Sequence, residues 1–447
     1  MERRSEMLDR YSLAPMRKLW SAKMKFAMWL KVELAFLASR VEHDNLDRES
    51  YDLIYQHADF NLQRIETLDE LYNQDMIAFI TSVQKSLSEK GVGHLGKELH
   101  EPLTSYDIED PALILLLRQA LELVNSQLLD LFLALSHRAN EQKWTIMIAR
   151  THGQWAEPTT FGQILLVYAN AVKRSISAFN HHQETTLSEG KIAGAVGNFA
   201  GMDPQIAETA VRILGLTPVQ AETQIIQRDR HARLLCEIAI AGGTIENIAQ
   251  TLWLMAQSEV GEIREPRKTK QRGSSRMSYK RNPIGLEQLQ GLPRLLRAYA
   301  QCGMENIATP GWRAIEQSSV ERHVLPDATS LLHYMANKLT TIVEKLEVFP
   351  DRMRHNMECT GGVWACQAIR SALMKAGISY DTAYEYTQRL GFTIIDTGMR
   401  LDAVAATMPL SETDSRTSVE ILGADTVQGF LDPRRLIERG IKHLFRS

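Results

Sequence analysis

The chain has 447 residues, 51 Lys+Arg against 54 Asp+Glu, a formal net charge of -3, 44% apolar and 23% charged residues. At about 150 residues per domain that length fits about three domains, and the composition excludes wholesale disorder. The near-neutral balance argues against a chain built to hold nucleic acid or anionic membrane along its length. Four cysteines (Cys236, Cys302, Cys359, Cys366) with no Cys-x-x-Cys pair point to a reduced, cytoplasmic protein rather than a disulfide scaffold.

The opening Met1-Glu2-Arg3-Arg4-Ser5-Glu6 leads into a mixed segment without the apolar core of a secretion signal. Apolar residues then recur at spacings of three and four almost everywhere, which predicts amphipathic helices and an all-α fold. The apolar run 112–117 meets Arg118 and Glu122, so it reads as a buried helix of a soluble protein and no stretch reaches the ~18 uninterrupted apolar residues of a membrane span. Asp110-Pro111 reads as an N-cap and first-turn proline, opening a helix that runs to about His137. The best short strand candidate is 145–148. Long helices are expected over 235–262, from near Pro283 through Leu296 with Pro293 as a kink, and over 318–346 with a bend at Pro326. After about Asp351, shorter helices are punctuated by Gly361-Gly362, Gly377, Gly391 and Gly398. The expected organisation is an N-terminal helical domain (1–103), a long central bundle (104–352) and a small helical C-terminal domain (353–447). Rods of this kind commonly associate with copies of themselves.

Five segments could carry chemistry. Residues 271–283, Gln-Arg-Gly-Ser-Ser-Arg-Met-Ser-Tyr-Lys-Arg-Asn-Pro, interrupt two apolar helices. Gly273 and the serines permit backbone N–H groups to converge on an anion, with Lys280, Arg281 and Asn282 adding donors; a flexible basic connector is the competing reading. A P-loop is excluded, because no Gly-x-x-x-x-Gly-Lys-Ser/Thr occurs. Residues 150–160, Arg-Thr-His-Gly-Gln-Trp-Ala-Glu-Pro-Thr-Thr, place His152 after the strand-like stretch and before an expected proline-started helix, where an imidazole can act as acid or base or can be structural. Residues 100–107, His-Glu-Pro-Leu-Thr-Ser-Tyr-Asp, form a polar cluster otherwise read as a capping turn. Residues 224–231, Gln-Ile-Ile-Gln-Arg-Asp-Arg-His, read as a solvated charged face by composition. Arg313 with Ser318-Ser319-Val320-Glu321-Arg322 puts serines at a helix start beside two arginines, suiting either phosphate or plain capping. No metal-ligand spacing is legible.

Taken together these segments resemble the fumarase/aspartase superfamily, and most closely the bacterial adenylosuccinate lyase family. The superfamily loop Gly-Ser-Ser-x-Met-x-x-Lys-x-Asn-Pro is similar to 273–283, and family segments are similar to 150–160, 103–107, Arg10-Tyr11-Ser12, 191–197 and 227–231. The likeness runs from about residue 10 to 355 and continues weakly beyond. The resemblance implies a three-domain all-α fold with a long central bundle. It implies a homotetramer with sites shared among three subunits, and no organic cofactor. It also implies β-elimination of fumarate from an N-succinyl compound, adenylosuccinate to AMP, together with the succinylcarboxamide imidazole nucleotide of purine synthesis. By the same resemblance Ser274 is the base that takes the proton beside the carboxylate, and His152 the acid that protonates the departing nitrogen. Lys280 and Asn282 hold the succinyl part, and Glu287 helps position the loop. His100, Thr104, Ser105 and Gln224 are substrate-site positions, and Arg10, Tyr11, Arg313, Ser318 and Arg322 contact the nucleotide phosphate.

The sequence departs from the family where Arg-His-Asp becomes Asn73-Gln74-Asp75, where an aromatic-glycine pair becomes Glu101-Pro102, and where loop Ala and Pro become Arg276 and Ser278. Before Ser318, only Arg313 and Ile315 of 311–317 hold their places. Three readings follow: an adenylosuccinate lyase or close variant; a paralogous lyase on a different N-substituted aspartate; and a non-catalytic tetramer that binds nucleotide.

Overall fold

The structure is a computed structural model that describes residues 10–267, 269, 270, 272 and 274–446; Met1–Glu6 and Gly273 of the loop above lie outside the described residues. Its elements run, in chain order, α1 (Ala14–Leu19), α2 (Ala22–Glu42), α3 (Arg48–His57), α4 (Leu62–Tyr72), α5 (Asp75–Glu89), α6 (Ser105–Glu141), a hairpin of β1 (Ile146–Thr151) and β2 (Gln154–Thr160), α7 (Phe161–Glu184), α8 (Pro204–Ile213), α9 (Asp229–Met255), α10 (Ile284–Gly291), α11 (Pro293–Glu305) and α12 (Glu316–Glu344). Shorter helices follow: α13 (Pro350–Glu358), α14 (Cys366–Lys375), α15 (Tyr380–Thr397), α16 (Leu401–Ala405), α17 (Ser418–Leu422), α18 (Ala424–Phe430) and α19 (Pro433–Leu444). Strands among the described residues are confined to three two-stranded pairings, so the all-α expectation holds.

Two compact units share this chain. One takes the residues through Asp130, then Val172–Glu246 and Leu289–Lys338; the other takes Leu131–Ala171, Asn247–Gln288 and Leu339 onward. Helices α6, α7, α9 and α12 each give residues to both, which requires their length: α6 has 37 residues, about 55 Å at a rise of about 1.5 Å each. By length and composition α6 could cross a membrane. Its Asp107 and Asp110 nevertheless sit in protein, each wholly buried and each paired with a buried cation.

Helix starts differ from expectation for physical reasons. α6 begins at Ser105, not at Asp110. The turn before it closes on Asp107, whose carboxylate accepts the Thr104 N–H (3.0 Å) while its own N–H donates to the Thr104 carbonyl. Asp110 is therefore in the helix interior, and Pro111 follows it in the second turn, where the first-turn proline rule does not apply. Pro158 does not start a helix either. It lies in β2, paired with Ile148, and α7 starts at Phe161. The 235–262 helix is observed over 229–255, and the helix expected to continue past Pro283 is divided by Pro293, which opens α11 as its first residue. Pro326 stays within α12.

In the first unit, Gly242 of α9 lies so close to α11 that an added Cβ would sit 2.5 Å from Leu296. The core of that unit holds a charge. Arg228, entirely buried, donates from Nη2 to Asp110 Oδ1 (2.8 Å) and from Nε to Glu321 Oε1 (2.9 Å), and its Nη1 reaches the Ile226 carbonyl (2.6 Å). Asp110 also accepts the Ile226 N–H (2.8 Å). Burial works against the guanidinium charge, but Asp110 and Glu321 more than offset it and raise its affinity for the proton. His231, one turn on, is buried with neither ring nitrogen partnered among the described residues, and burial pulls it down to about 3. The 224–231 segment is thus no solvated face: spacing shows charge but not what it meets inside.

In the second unit, strand residue Ile148 joins a core with Met357, Trp364, Ile369, Tyr386 and Leu390 from the C-terminal helices. Gly162 lets the start of α7 pass against the end of α6; a Cβ there would lie 2.4 Å from the Ala139 carbonyl oxygen.

Replacing Arg228 by Met removes the charge but keeps its bulk, leaving Asp110 and Glu321 buried without a cation. We expect a loss of about 3–5 kcal/mol in urea unfolding. A loss under about 1 kcal/mol would show that the knot does not support the fold.

Candidate active site

The candidate residues divide between the units, and each group is built locally. In the first unit, the junction of α4 and α5 is made by Asn73 and Gln74. Asn73 ends α4 in the left-handed conformation (φ 52°), which Asn tolerates, and Gln74 caps α5 by accepting the Ile77 N–H (2.6 Å) through Oε1. Both departures from the family pattern therefore have a local structural task. Asp75, next in the chain, accepts from Lys25 Nζ and from Arg322 Nη1, each at 2.8 Å. Burial acts to raise its carboxyl, yet Lys25 and Arg322 prevail and hold it below the usual carboxylate range.

Arg322 stands on α12 with about half its side chain exposed. Its Nη2 lies 3.4 Å from Glu109 Oε2 and its Nε 3.4 Å from Ser318 Oγ. Glu109 is pushed up to about 7, first by burial and then by the Asp75 charge. Ser318 is buried in the first turn of α12, which starts at Glu316. It neighbours the Tyr106 hydroxyl, whose proton burial and the Glu109 charge hold up to about 12. The Tyr106 ring carries two guanidinium groups, Arg313 at 4.0 Å and Arg228 at 5.7 Å from its centroid. Arg313 Nη1 donates to Gln224 Oε1 (2.8 Å), and Gln224 Nε2 donates to the Ala195 carbonyl (2.8 Å).

The fold thus gathers Gln224, Arg313, Ser318 and Arg322 around Tyr106. Tyr106, Glu109, Asp75 and Lys25 complete the group, and sequence reasoning gave none of the four a role at the site. The available signal was slight: Tyr106 and Glu109 lie one turn apart at the start of α6, and Asp75 directly follows the altered pair Asn73-Gln74.

His100 is fixed by Glu33. It is left-handed (φ 64°), its Nδ1 lies 2.7 Å from the buried Glu33 Oε1, and its N–H donates to Glu33 Oε2 (3.0 Å). Thr104 and Ser105 are half-buried where α6 starts, Ser105 Oγ lying 3.5 Å from Gln74 Nε2. Arg10 is exposed, and the ring of Tyr11 packs edge-on against Tyr334 (5.4 Å). Tyr334 is 12 residues beyond Arg322 on the same helix, about 18 Å along its axis, so the two ends of the phosphate set are not brought together there.

The second unit carries the other group. Ser274 Oγ accepts the backbone N–H of Met277 (3.0 Å) and of Arg276 (3.3 Å), closing a small turn. Two donors on one oxygen favour its anionic form, and Arg276, Lys280 and Arg281 stand exposed in the same ten residues. The loop's far end is fastened by Glu265, a largely buried carboxylate that accepts the first amides of α10, Gly285 (3.0 Å) and Leu286 (2.9 Å). Asn282 is half-buried just before α10, and Glu287 is exposed upon it.

His152 occupies the tip of the β1–β2 hairpin. With Gly153 it forms the two-residue turn, both at positive φ (53° and 76°), the twist that two-residue hairpins favour. The imidazole is exposed and makes no hydrogen bond among the described residues.

A profile of the lyase family matches residues 10–294. The adenylosuccinate lyase of Thermotoga maritima is 38% identical over 383 residues, 86% of this chain and 88% of that protein. That of Bacillus subtilis is 36% identical over 382 residues, 86% of this chain and 87% of that one. The crystal structure of a fumarate lyase from Mesorhizobium sp. BNC1 shares the fold, with a TM-score of 0.86 and 22% identity over 99% of this chain and 98% of that chain. With its loop serine, its hairpin histidine and these relatives, the chain belongs to the adenylosuccinate lyase family of the fumarase/aspartase superfamily and is a carbon–nitrogen lyase.

Proposed function

We propose that the chain eliminates fumarate from adenylosuccinate, and from the succinylcarboxamide imidazole nucleotide, in cytoplasmic purine biosynthesis. Ser274 takes the proton from the carbon beside the carboxylate. The released pair becomes the double bond of fumarate, the C–N pair leaves with nitrogen, and His152 supplies that nitrogen's proton. Lys280 and Asn282 bear the charge that builds on the carboxylate, where fixed donors act most strongly once water is excluded. Arg313, Ser318 and Arg322 receive the phosphate, while His100, Thr104, Ser105 and Gln224 line the substrate. Arg10 and Tyr11, about 18 Å along α12 from Arg322, reach a phosphate only at a site completed by another subunit. The observation that carries this reading is the Ser274 oxygen, already accepting two backbone amides in a loop of cations. The exposed, unpartnered His152 supports a homotetramer in which the imidazole serves a site completed by another subunit.

A second reading has its own observation. Arg322 is already engaged by Asp75 and Glu109, so a substrate phosphate must compete with two carboxylates; a smaller N-substituted aspartate lacking phosphate would not.

Fumarate release from adenylosuccinate separates these. Ser274→Ala and His152→Ala should each lower kcat by about a thousandfold or more, and mixing the two inactive variants should restore activity as subunits exchange. Full activity in Ser274→Ala would exclude the assigned base. Arg322→Ala should raise KM for the nucleotide substrate; an unchanged KM would favour the phosphate-free substrate. Glu109 supplies a pH signature: neutral below about 7, it gains a negative charge beside Arg322 above it. The KM should therefore rise as pH climbs through 7 in the native enzyme and rise less in Glu109→Gln. Identical profiles would place Glu109 outside the phosphate site.

A further inference from the structure

A cavity of about 490 Å³, lined by residues of the second unit alone and open to solvent, lies at the base of the β1–β2 hairpin. That volume suits a small organic molecule. Its apolar walls are the indoles of Trp144 and Trp364 with Met357 and Leu431, and Arg354 and Arg400 stand at its edge. Gly361 and Gly362, both at positive φ (63° and 85°), also line it. No residue of 272–287 lines it, and neither does His152. The hairpin touches it at Thr145 and Ile146, six residues from His152, or about 20 Å of strand at about 3.3 Å each.

We infer that this cavity is a second binding site, for a planar aromatic anion of about mononucleotide size. Of the two indoles that line it, Trp144 carries the Arg434 guanidinium 4.7 Å from its ring centroid and Trp364 is largely buried. A ligand ring therefore stacks chiefly on the remaining face of Trp144, and a stacked aromatic pair adds about 0.5–1.5 kcal/mol beyond area burial. Both guanidinium groups stand exposed at the cavity edge. Arg354 meets Asp351 at 3.3 Å with both side chains largely exposed, whereas Arg400 holds Asp402 through two hydrogen bonds, Nε to Oδ1 (3.2 Å) and Nη2 to Oδ2 (3.0 Å). An exposed single-contact pair contributes about 0–1 kcal/mol, so a carboxylate or phosphate on the ligand displaces Asp351 from Arg354 at little cost, while Arg400 engages it beside its bidentate carboxylate. Glu358, also at the wall, adds an acceptor for a ring N–H or amino donor. A purine nucleotide and an aromatic carboxylate with a ring N–H both have this chemistry.

Equilibrium dialysis of the full-length protein against AMP, and separately against indole-3-acetate, tests the assignment. At least one probe should bind at one site per chain that survives Arg322→Ala and Ser274→Ala and weakens at least tenfold in the Arg354→Ala/Arg400→Ala double variant. AMP alone would identify a nucleotide ligand, and indole-3-acetate alone an aromatic carboxylate. Both replaced arginines are surface residues, so circular dichroism matching the native protein confirms that the loss is local. Absence of any such site, or binding unchanged in the double variant, overturns the inference.

Discussion

Arg228 carries a full positive charge where water does not reach, and much of the first unit is arranged to make that tolerable. Asp110 from α6 and Glu321 from α12 must both approach it, and each can do so only if its helix is held in one register. A buried ion pair adds little net stability over apolar packing, but breaking it is costly, so it acts against alternative registers. The candidate phosphate residues follow from this. Ser318 and Arg322 lie within a turn of Glu321, and Tyr106 lies one turn before Asp110, with its ring between Arg228 and Arg313. A helix that slipped by one residue would lose the knot and scatter the group together.

Much of this was legible. Repeats of three and four located the long helices, and the punctuation at 271–283 located the loop. Pro293 marked a break more complete than a kink, because its ring removes an amide that α10 would need to continue. Other features depend on partners far away in sequence. Asp110-Pro111 looks like a helix start by local chemistry, but the true start lies five residues earlier, at Ser105, where Asp107 folds back on Thr104. Pro158 looks like a helix start as well, until Ile148 is found beside it across the hairpin. Charged residues at 228–231 read as exposed because spacing carries no information about a matching carboxylate some 90 or more residues off.

The departures from the family pattern are instructive in the same way. Asn73 and Gln74 stand where the family pattern has Arg and His, and here they terminate one helix and begin the next. Only Asp75 of that trio reaches the cation cluster, through Lys25 and Arg322. A changed motif can thus hold its backbone geometry while its chemistry moves to neighbours such as Tyr106 and Glu109, residues that no single-position comparison would select.

The hairpin that bears His152 has a further consequence. It is clamped at its root, where Phe161 donates to the Thr145 carbonyl and Gly162 to that of Gln142, and it ends in a turn of only two residues. Such an arm works as a ruler. Adding one residue to each strand would reverse which face the tip presents, while adding two would restore the face and carry the imidazole about 7 Å further out. Reach and orientation are therefore quantised, and lineages that differ in this arm by an odd count would have to rebuild whatever surface the histidine meets.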